Sequence, residues 1–358
     1  MTQPTHRFNE LDLLRGFACV AVVAFHYLSR SPRVGWMPGA LSPSIDAVAR
    51  YGYLGVHLFF VISGFVILMS AQSASPRQFV ASRVARLYPA LWVAASLTAG
   101  TAWLLGDQAF QVSLPVYLIN LSMVPHWFGT PAVDGAYWSL FVELHFYLYV
   151  WIALKLRLLH KTEWLLMAWL AISLVNAIRP AWPVELWLNA KWAPLFAAGG
   201  VYYLMRMQGI TPRRIGMLLV SYLLALFYAR PTATLTGPEA TGPVNAWVVW
   251  GVITAVYLVF LLIALDRWRM PASRLTRLAG ALTYPVYVVH QVFGAMVYQR
   301  VQSALKSAPV ALFVTVFMVA LISWAIHRGV EKTTGPRLRR WLEGNARAHI
   351  LASSTTMD

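Results

Sequence analysis

Long apolar runs alternate along this chain with short polar breaks that hold most of its charge. Ten runs reach or approach the roughly 20 residues needed to cross a bilayer. They cover 12–28, 53–72, 87–106, 137–156, 162–179, 190–207, 214–229, 246–265, 281–300 and 308–327. The stretch 112–125, interrupted by Pro115 and Pro125, is too short to cross and is expected to be interfacial or re-entrant, lining an outer loop. The pattern predicts an all-α integral membrane protein of about ten transmembrane helices. A polar lead at 1–11 and a basic, then small-polar tail at 329–358 flank a transmembrane domain over 12–328. The tail is expected to be partly disordered, and neither flank leaves room for a second domain.

Composition agrees with this reading. Hydrophobic residues make up 59% of the chain, charged residues 12%, and mean hydropathy is +0.58, more apolar surface than a soluble domain can hide. Sixteen Trp and sixteen Tyr fit aromatic belts at the two interfaces. A net charge of +16 raises nucleic acid as a partner, but the basic residues lie between the apolar runs and not on one polar face, so no nucleic-acid partner is expected. Of the 29 Lys and Arg residues, 20 fall in the N-terminal lead, the breaks after every second run and the tail. Eight fall in the alternate breaks, and Arg15 lies within the first run. By the positive-inside rule both termini are cytoplasmic. The single Cys19 excludes an intramolecular disulfide and a cysteine-based metal site, and no metal is expected.

Ionisable groups inside a membrane are costly, so each is a functional candidate. Arg15 and His26 share the first run, eleven residues or roughly 16 Å apart along a helix, one toward each face. The topology puts His26, His57, Glu143 and His145 in the outer half and His290 near the middle, with Arg15, Arg83 and Arg86 toward the cytoplasm. Each has a plain reading: a membrane histidine often serves as an interhelical hydrogen-bonding group, and Arg83 and Arg86 could be interfacial anchors. Glu143 is harder to dismiss, because a carboxylate in an apolar helix needs a partner. Together the groups offer a base with an orienting carboxylate and paired arginines able to grip phosphates. A ligand with phosphates at the cytoplasmic face and a reactive tip reaching across would join them. The first run is read as an uncleaved span, since signal-peptide cleavage would discard Arg15 and His26.

The ordered motifs resemble the acyltransferase-3 family of integral-membrane acyltransferases, which acylate bacterial surface glycans and related molecules. The resemblance rests on Leu11-Asp12-Leu-Leu-Arg15-Gly16 with His26 beyond it, and on Gly55-Val-His-Leu-Phe-Phe-Val-Ile-Ser63-Gly64-Phe65. It continues through Arg83-Val-Ala-Arg86 before Tyr88-Pro89, Trp138-Ser139-Leu-Phe-Val-Glu143-Leu-His-Phe-Tyr147 and Tyr284-Pro285-Val-Tyr-Val-Val-His290. It implies a multi-pass protein of the bacterial inner membrane with no permanently bound cofactor. The implied donor substrate is cytoplasmic acyl-coenzyme A, with acetyl as the default group, and the implied acceptor is a hydroxyl of an extracytoplasmic glycan or lipid-linked sugar. By motif, His26 is the essential histidine, as general base or as a transient acyl carrier. Asp12, Glu143 and His290 join it as catalytic candidates, Arg15, Arg83 and Arg86 as coenzyme A ligands, and His57, Trp138, Ser139 and Tyr147 as acceptor-side residues. Two departures stand out: His57 replaces the commoner Asp after Gly-Val, and Leu144-His145 replaces Glu-Gln after the matched glutamate. The chain is expected to transfer its acyl group without an appended esterase-like domain.

Two other classes compete. A proton-coupled transporter or flippase would use His26, His57 and Glu143 as a relay, but it leaves Arg83 and Arg86 without a role and finds no inverted repeat to support it. A structural subunit of a polysaccharide assembly machine would make the polar cluster simple packing.

Overall fold

The computed structural model describes residues 8–40, 42–105, 108–230 and 244–344. Arg7 of the charge count, most of the polar lead and the end of the basic tail lie outside the described residues. All regular structure among the described residues is helical. The helices used below are α1 (Asn9–Phe25), α2 (Gly55–Ala71), α3 (Pro76–Leu105), α4 (Leu114–Asn120), α5 (Tyr137–Lys155) and α6 (Thr162–Ile178). They continue with α7 (Ala193–Gln208), α8 (Pro212–Tyr228), α9 (Ala246–Ala264), α10 (Arg274–Val289), α11 (Val292–Leu305), α12 (Ala308–Ile326) and α13 (Thr334–Glu343).

Every apolar run predicted to span forms helix, with three differences. The run 281–300 is broken at His290–Gln291, where α10 ends and α11 begins. The third helix starts at Pro76, so Arg83 and Arg86 stand inside it and not in the break before it. Part of the tail is ordered as α13, which packs on α3. Among the described residues, five segments are long and apolar enough to cross a membrane by themselves: Asn9–Arg33, Pro43–Ala71, Tyr137–Lys155, Ala246–Ala264 and Ala308–Glu343. The short α4 and the 3-10 turn Pro125–Phe128 fit the stretch read as too short to cross.

Small residues bring the central helices together. A Cβ added to Gly199 of α7 would sit 3.0 Å from Gly64 Cα of α2, so these two backbones touch. Likewise a Cβ on Gly16 would come 2.7 Å from the Ala279 methyl, which lets α1 lie along α10. Such contacts suit a solvent where apolar burial gives no drive between helices and close packing must supply it. The outer helices present large apolar side chains outward, among them Leu104, Trp247 and Phe313, each more than two-thirds exposed.

Candidate active site

Two polar clusters sit on the α1–α10 pair, eleven residues apart on α1. The first lines a cavity holding about 720 Å³ of unfilled space, walled by Arg15, Ser63, Arg86, Glu143, Tyr147 and Tyr287 with apolar neighbours from α2 and α3. Arg15 Nη1 donates to Asp12 Oδ1 at 3.3 Å, and Asp12 in turn leaves room for nothing larger than Gly280 opposite it. Arg86, Glu143 and Tyr147 all lie within electrostatic reach of Arg15. Glu143 finds its partner in Ser63, whose Oγ donates to Oε1 at 2.5 Å. Glu143 was expected to orient a histidine; instead it faces the arginines of this cavity.

The second cluster is the histidine pair. Helix α1 widens into a π turn over His26–Arg30, a local irregularity that often marks functional sites. His26 Nδ1 lies 2.9 Å from His290 Nε2, and His290 Nδ1 lies 2.8 Å from the Tyr287 carbonyl. A carbonyl only accepts, so His290 Nδ1 carries a proton. In the neutral ring Nε2 then accepts, and His26 Nδ1 must be the donor. The order of hydrogen bonds thus leaves His26 Nε2 as an unprotonated lone pair. The break after His290 is held by tyrosines and one acid. Tyr27 Oη donates to the His290 carbonyl at 2.6 Å, and Tyr137 Oη to the Val288 carbonyl at 2.9 Å. The fully buried Asp134, in the loop before α5, accepts from the Val292 N–H at 2.8 Å and from the Ala136 N–H at 2.8 Å, satisfying one of the orphan donors that open α11. Burial pushes the Asp134 carboxyl up to about 6 against the pull of those two N–H groups and Arg30.

A thin layer divides the clusters. Tyr287 Oη and Ser139 Oγ are 2.6 Å apart, and Phe59 packs edge-on against the Tyr287 ring at 5.7 Å. Tyr287 faces the cavity with its ring while its own carbonyl holds His290.

Of the residues singled out in the sequence, the structure gathers Arg15, Asp12, Arg86, Glu143, Ser139 and Tyr147 in or beside the cavity and pairs His26 with His290. It does not bring His57 or Trp138 there. Both pack on Trp192, with ring centroids 5.4 and 5.1 Å away. Arg83 goes elsewhere too. It stands three residues before Arg86, so at 3.6 residues per turn the two point about 60° apart, and Tyr147 fills the angle. Arg83 and Tyr147 line a second cavity, described below. Sequence reasoning assigned no role to Ser63, Tyr287, Tyr27 or Asp134. Ser63 and Tyr287 stood inside the matched motifs. Asp134 carried a weaker signal, as one of only 13 acids in the chain.

Comparison with known proteins places the chain in a family. An acyltransferase domain matches residues 8–328. BcsY of Komagataeibacter xylinus, whose name describes a membrane-bound transacylase, is 28% identical over 92% of this chain and 83% of its own length. The exopolysaccharide production protein ExoZ of Rhizobium meliloti is 26% identical over 81% of this chain and 90% of its own. The acyltransferase MdmB of Streptomyces mycarofaciens is 26% identical, covering 79% and 78%. No solved structure matches the chain significantly. With the domain match running through every element that builds the two clusters, the chain belongs to the acyltransferase-3 family and is an acyltransferase.

Proposed function

We propose that this protein moves an acyl group, acetyl by default, from cytoplasmic acyl-coenzyme A to a hydroxyl of an extracytoplasmic or lipid-linked glycan, within a bundle of about ten transmembrane helices. The name of BcsY, a transacylase, supports the transfer, and that of ExoZ, an exopolysaccharide production protein, supports the glycan side of this reading. Arg15 and Arg86 would hold donor phosphates through charge-assisted bonds, with Asp12 steadying Arg15. The pantetheine arm would occupy the cavity past Glu143 and Ser63 and end at Tyr287 and Ser139. Parting of the Phe59–Tyr287–Ser139 layer would let the thioester meet His26.

The observation that carries the reading is the fixed order of the histidine hydrogen bonds, which leaves a lone pair on His26 Nε2. That nitrogen takes the proton from the acceptor hydroxyl as its oxygen attacks the thioester carbonyl. The C–S bond breaks as the tetrahedral intermediate collapses, and the coenzyme A sulfur leaves with the proton from His26. His290 acts as the orienter, the part a carboxylate plays in many such pairs. The test uses sealed inverted vesicles given labelled acetyl-coenzyme A outside and acceptor glycan inside. Label should appear on the enclosed acceptor. Label confined to acceptor supplied on the donor side would overturn the across-membrane route, and thiol release with no acylated acceptor would overturn the transfer.

A further inference from the structure

The largest unfilled space described here is not the one at Arg15. Between α3 and α5, beside the turn after α4, lies a second cavity of about 990 Å³. Its walls are almost wholly apolar and aromatic, with Val80, Val84, Leu144, Leu148, Trp127 and Trp151 forming a trough. Leu148 and Val80 are 38% and 39% exposed on the outside of the bundle, so the trough opens sideways, where a bilayer would lie.

One cation serves this space. The Arg83 guanidinium lies over the rings of Phe79 and Tyr147 at 5.8 and 5.9 Å, and its Nε donates to Ser82 Oγ at 3.2 Å. Its Nη1 is buried and has no hydrogen-bond partner among the described residues. Among the described residues no carboxylate forms an ion pair with Arg83 within 4.0 Å. A buried guanidinium nitrogen left without an acceptor is costly, and an anion that brings its own oxygens would repay it. The other polar groups are already committed: Tyr88 Oη donates to the Ser122 carbonyl and Ser122 Oγ to the Ile119 carbonyl, and His145 is bound on both ring nitrogens. Its Nδ1 meets the Phe141 carbonyl at 2.9 Å and its Nε2 accepts from Trp127 Nε1 at 3.3 Å, which fixes Trp127 as the wall opposite.

A trough of apolar side chains open toward lipid, with one guanidinium nitrogen lacking an acceptor at a single place, is complementary to an amphiphile with one anionic head and a hydrocarbon tail. We propose that this cavity binds a phosphate-bearing lipid, its phosphate on Arg83 and its chain along Val84, Leu144, Leu148 and Trp151. Arg prefers phosphate for its fork of donors. The site is distinct from the donor cavity. Leu87 and Tyr147 line both cavities, Tyr147 with its ring under Arg83 on one side and its hydroxyl near Glu143 on the other. Lipid occupancy and donor binding thus share one wall.

The test is photo-crosslinking of the full chain in bilayer nanodiscs. The probes are phosphatidic acid with a diazirine in its acyl chain and a diacylglycerol carrying the same diazirine. Phosphatidic acid should label peptides from 79–88 and 144–151. Arg83→Gln should cut that labelling on the order of tenfold while leaving diacylglycerol labelling unchanged, and excess coenzyme A should not compete. Labelling unaffected by Arg83→Gln, or spread evenly over the outer helices, would overturn the proposal. Competition by coenzyme A would do so as well, assigning Arg83 to the donor. Should the Arg83 variant fail to fold, Leu148→Trp fills the trough with the cation intact. It should reduce labelling by both probes severalfold, and unchanged labelling in that variant would equally overturn the site.

Discussion

The two clusters on the α1–α10 pair handle polarity in opposite ways. Around Arg15 the groups are ionic: a guanidinium bonded to Asp12, a second at Arg86 and a carboxylate at Glu143, all bordering open space. Around His26, no carboxylate among the described residues is hydrogen-bonded to either ring. The chain of donors runs His26 to His290 to the Tyr287 carbonyl and ends on a backbone dipole. Burying separated charges costs several kcal/mol each, whereas neutral rings satisfied by hydrogen bonds cost little. On the proposed mechanism, the difference assigns binding charge and moving a proton to different places along α1. It also sets a condition on the reaction. In the proposed mechanism an imidazolium at His26, with no carboxylate bonded to the ring, would be poorly stabilised and would pass its proton on promptly to the departing thiolate.

The largest effect should come from removing the lone pair itself. His26→Ala is expected to lower transfer by about 10²- to 10⁴-fold, the usual contribution of a general base. Equilibrium binding of acyl-coenzyme A by the purified variant should be unchanged, because Arg15 and Arg86 are untouched. Wild-type turnover in a well-folded variant would remove His26 from the chemistry, and lost donor binding would show that the two clusters are not separate.

The converse experiment attacks the ionic cluster. Arg86→Gln and Arg15→Gln should each weaken donor binding by roughly 10- to 100-fold, since a charge-assisted hydrogen bond contributes about 1.5–3 kcal/mol. The effect should appear in KM for the donor, with kcat at saturating donor largely kept. A fall in kcat at unchanged KM would place these arginines in the chemical step.

How much of this was legible in the sequence differs between the two clusters. The helices were legible because apolar runs at membrane length leave few alternatives, and each candidate run is helical. The break at His290 was not, since nothing local in Val289-His290-Gln291 ends a helix. It is stabilised by Asp134, more than 150 residues away, and by Tyr27 of the π turn after α1 and Tyr137 of α5. Arg83 and Arg86 looked like one device because they are close in sequence, but the fold turns them toward different cavities, with Leu87 and Tyr147 lining both. Glu143 was read beside the histidines because depth could be estimated along each helix, but rotation about the axis could not. The serine that satisfies it, Ser63, stood in plain view within a motif without any feature to mark it.

A smaller effect should separate orientation from packing at His290. Its Nε2 accepts from His26, and a glutamine oxygen can reach a similar point, whereas leucine can fill the space but accept nothing. His290→Leu should therefore lose about 10-fold or more in kcat, and His290→Gln should recover a good part of that loss, with KM for the donor unchanged in both. Equal loss in the two variants would make the residue a packing element.

The smallest effect tests the layer between the clusters. Tyr287→Phe removes the hydroxyl that meets Ser139 at 2.6 Å and the Ala136 carbonyl at 3.2 Å, but keeps the backbone carbonyl that orients His290. Losing hydrogen bonds of this kind costs about 0.5–1.5 kcal/mol each, enough to loosen the layer without dismantling the fold. If the layer holds the thioester away from His26 and water until an acceptor is in place, loosening it should raise acceptor-free release of coenzyme A severalfold while transfer to acceptor changes little. The measurement is thiol release by purified protein with and without acceptor. Release that stays at the wild-type level in Tyr287→Phe and in the double variant with Ser139→Ala would mean that the layer is no barrier. The separation of charge from proton transfer would then rest on distance alone.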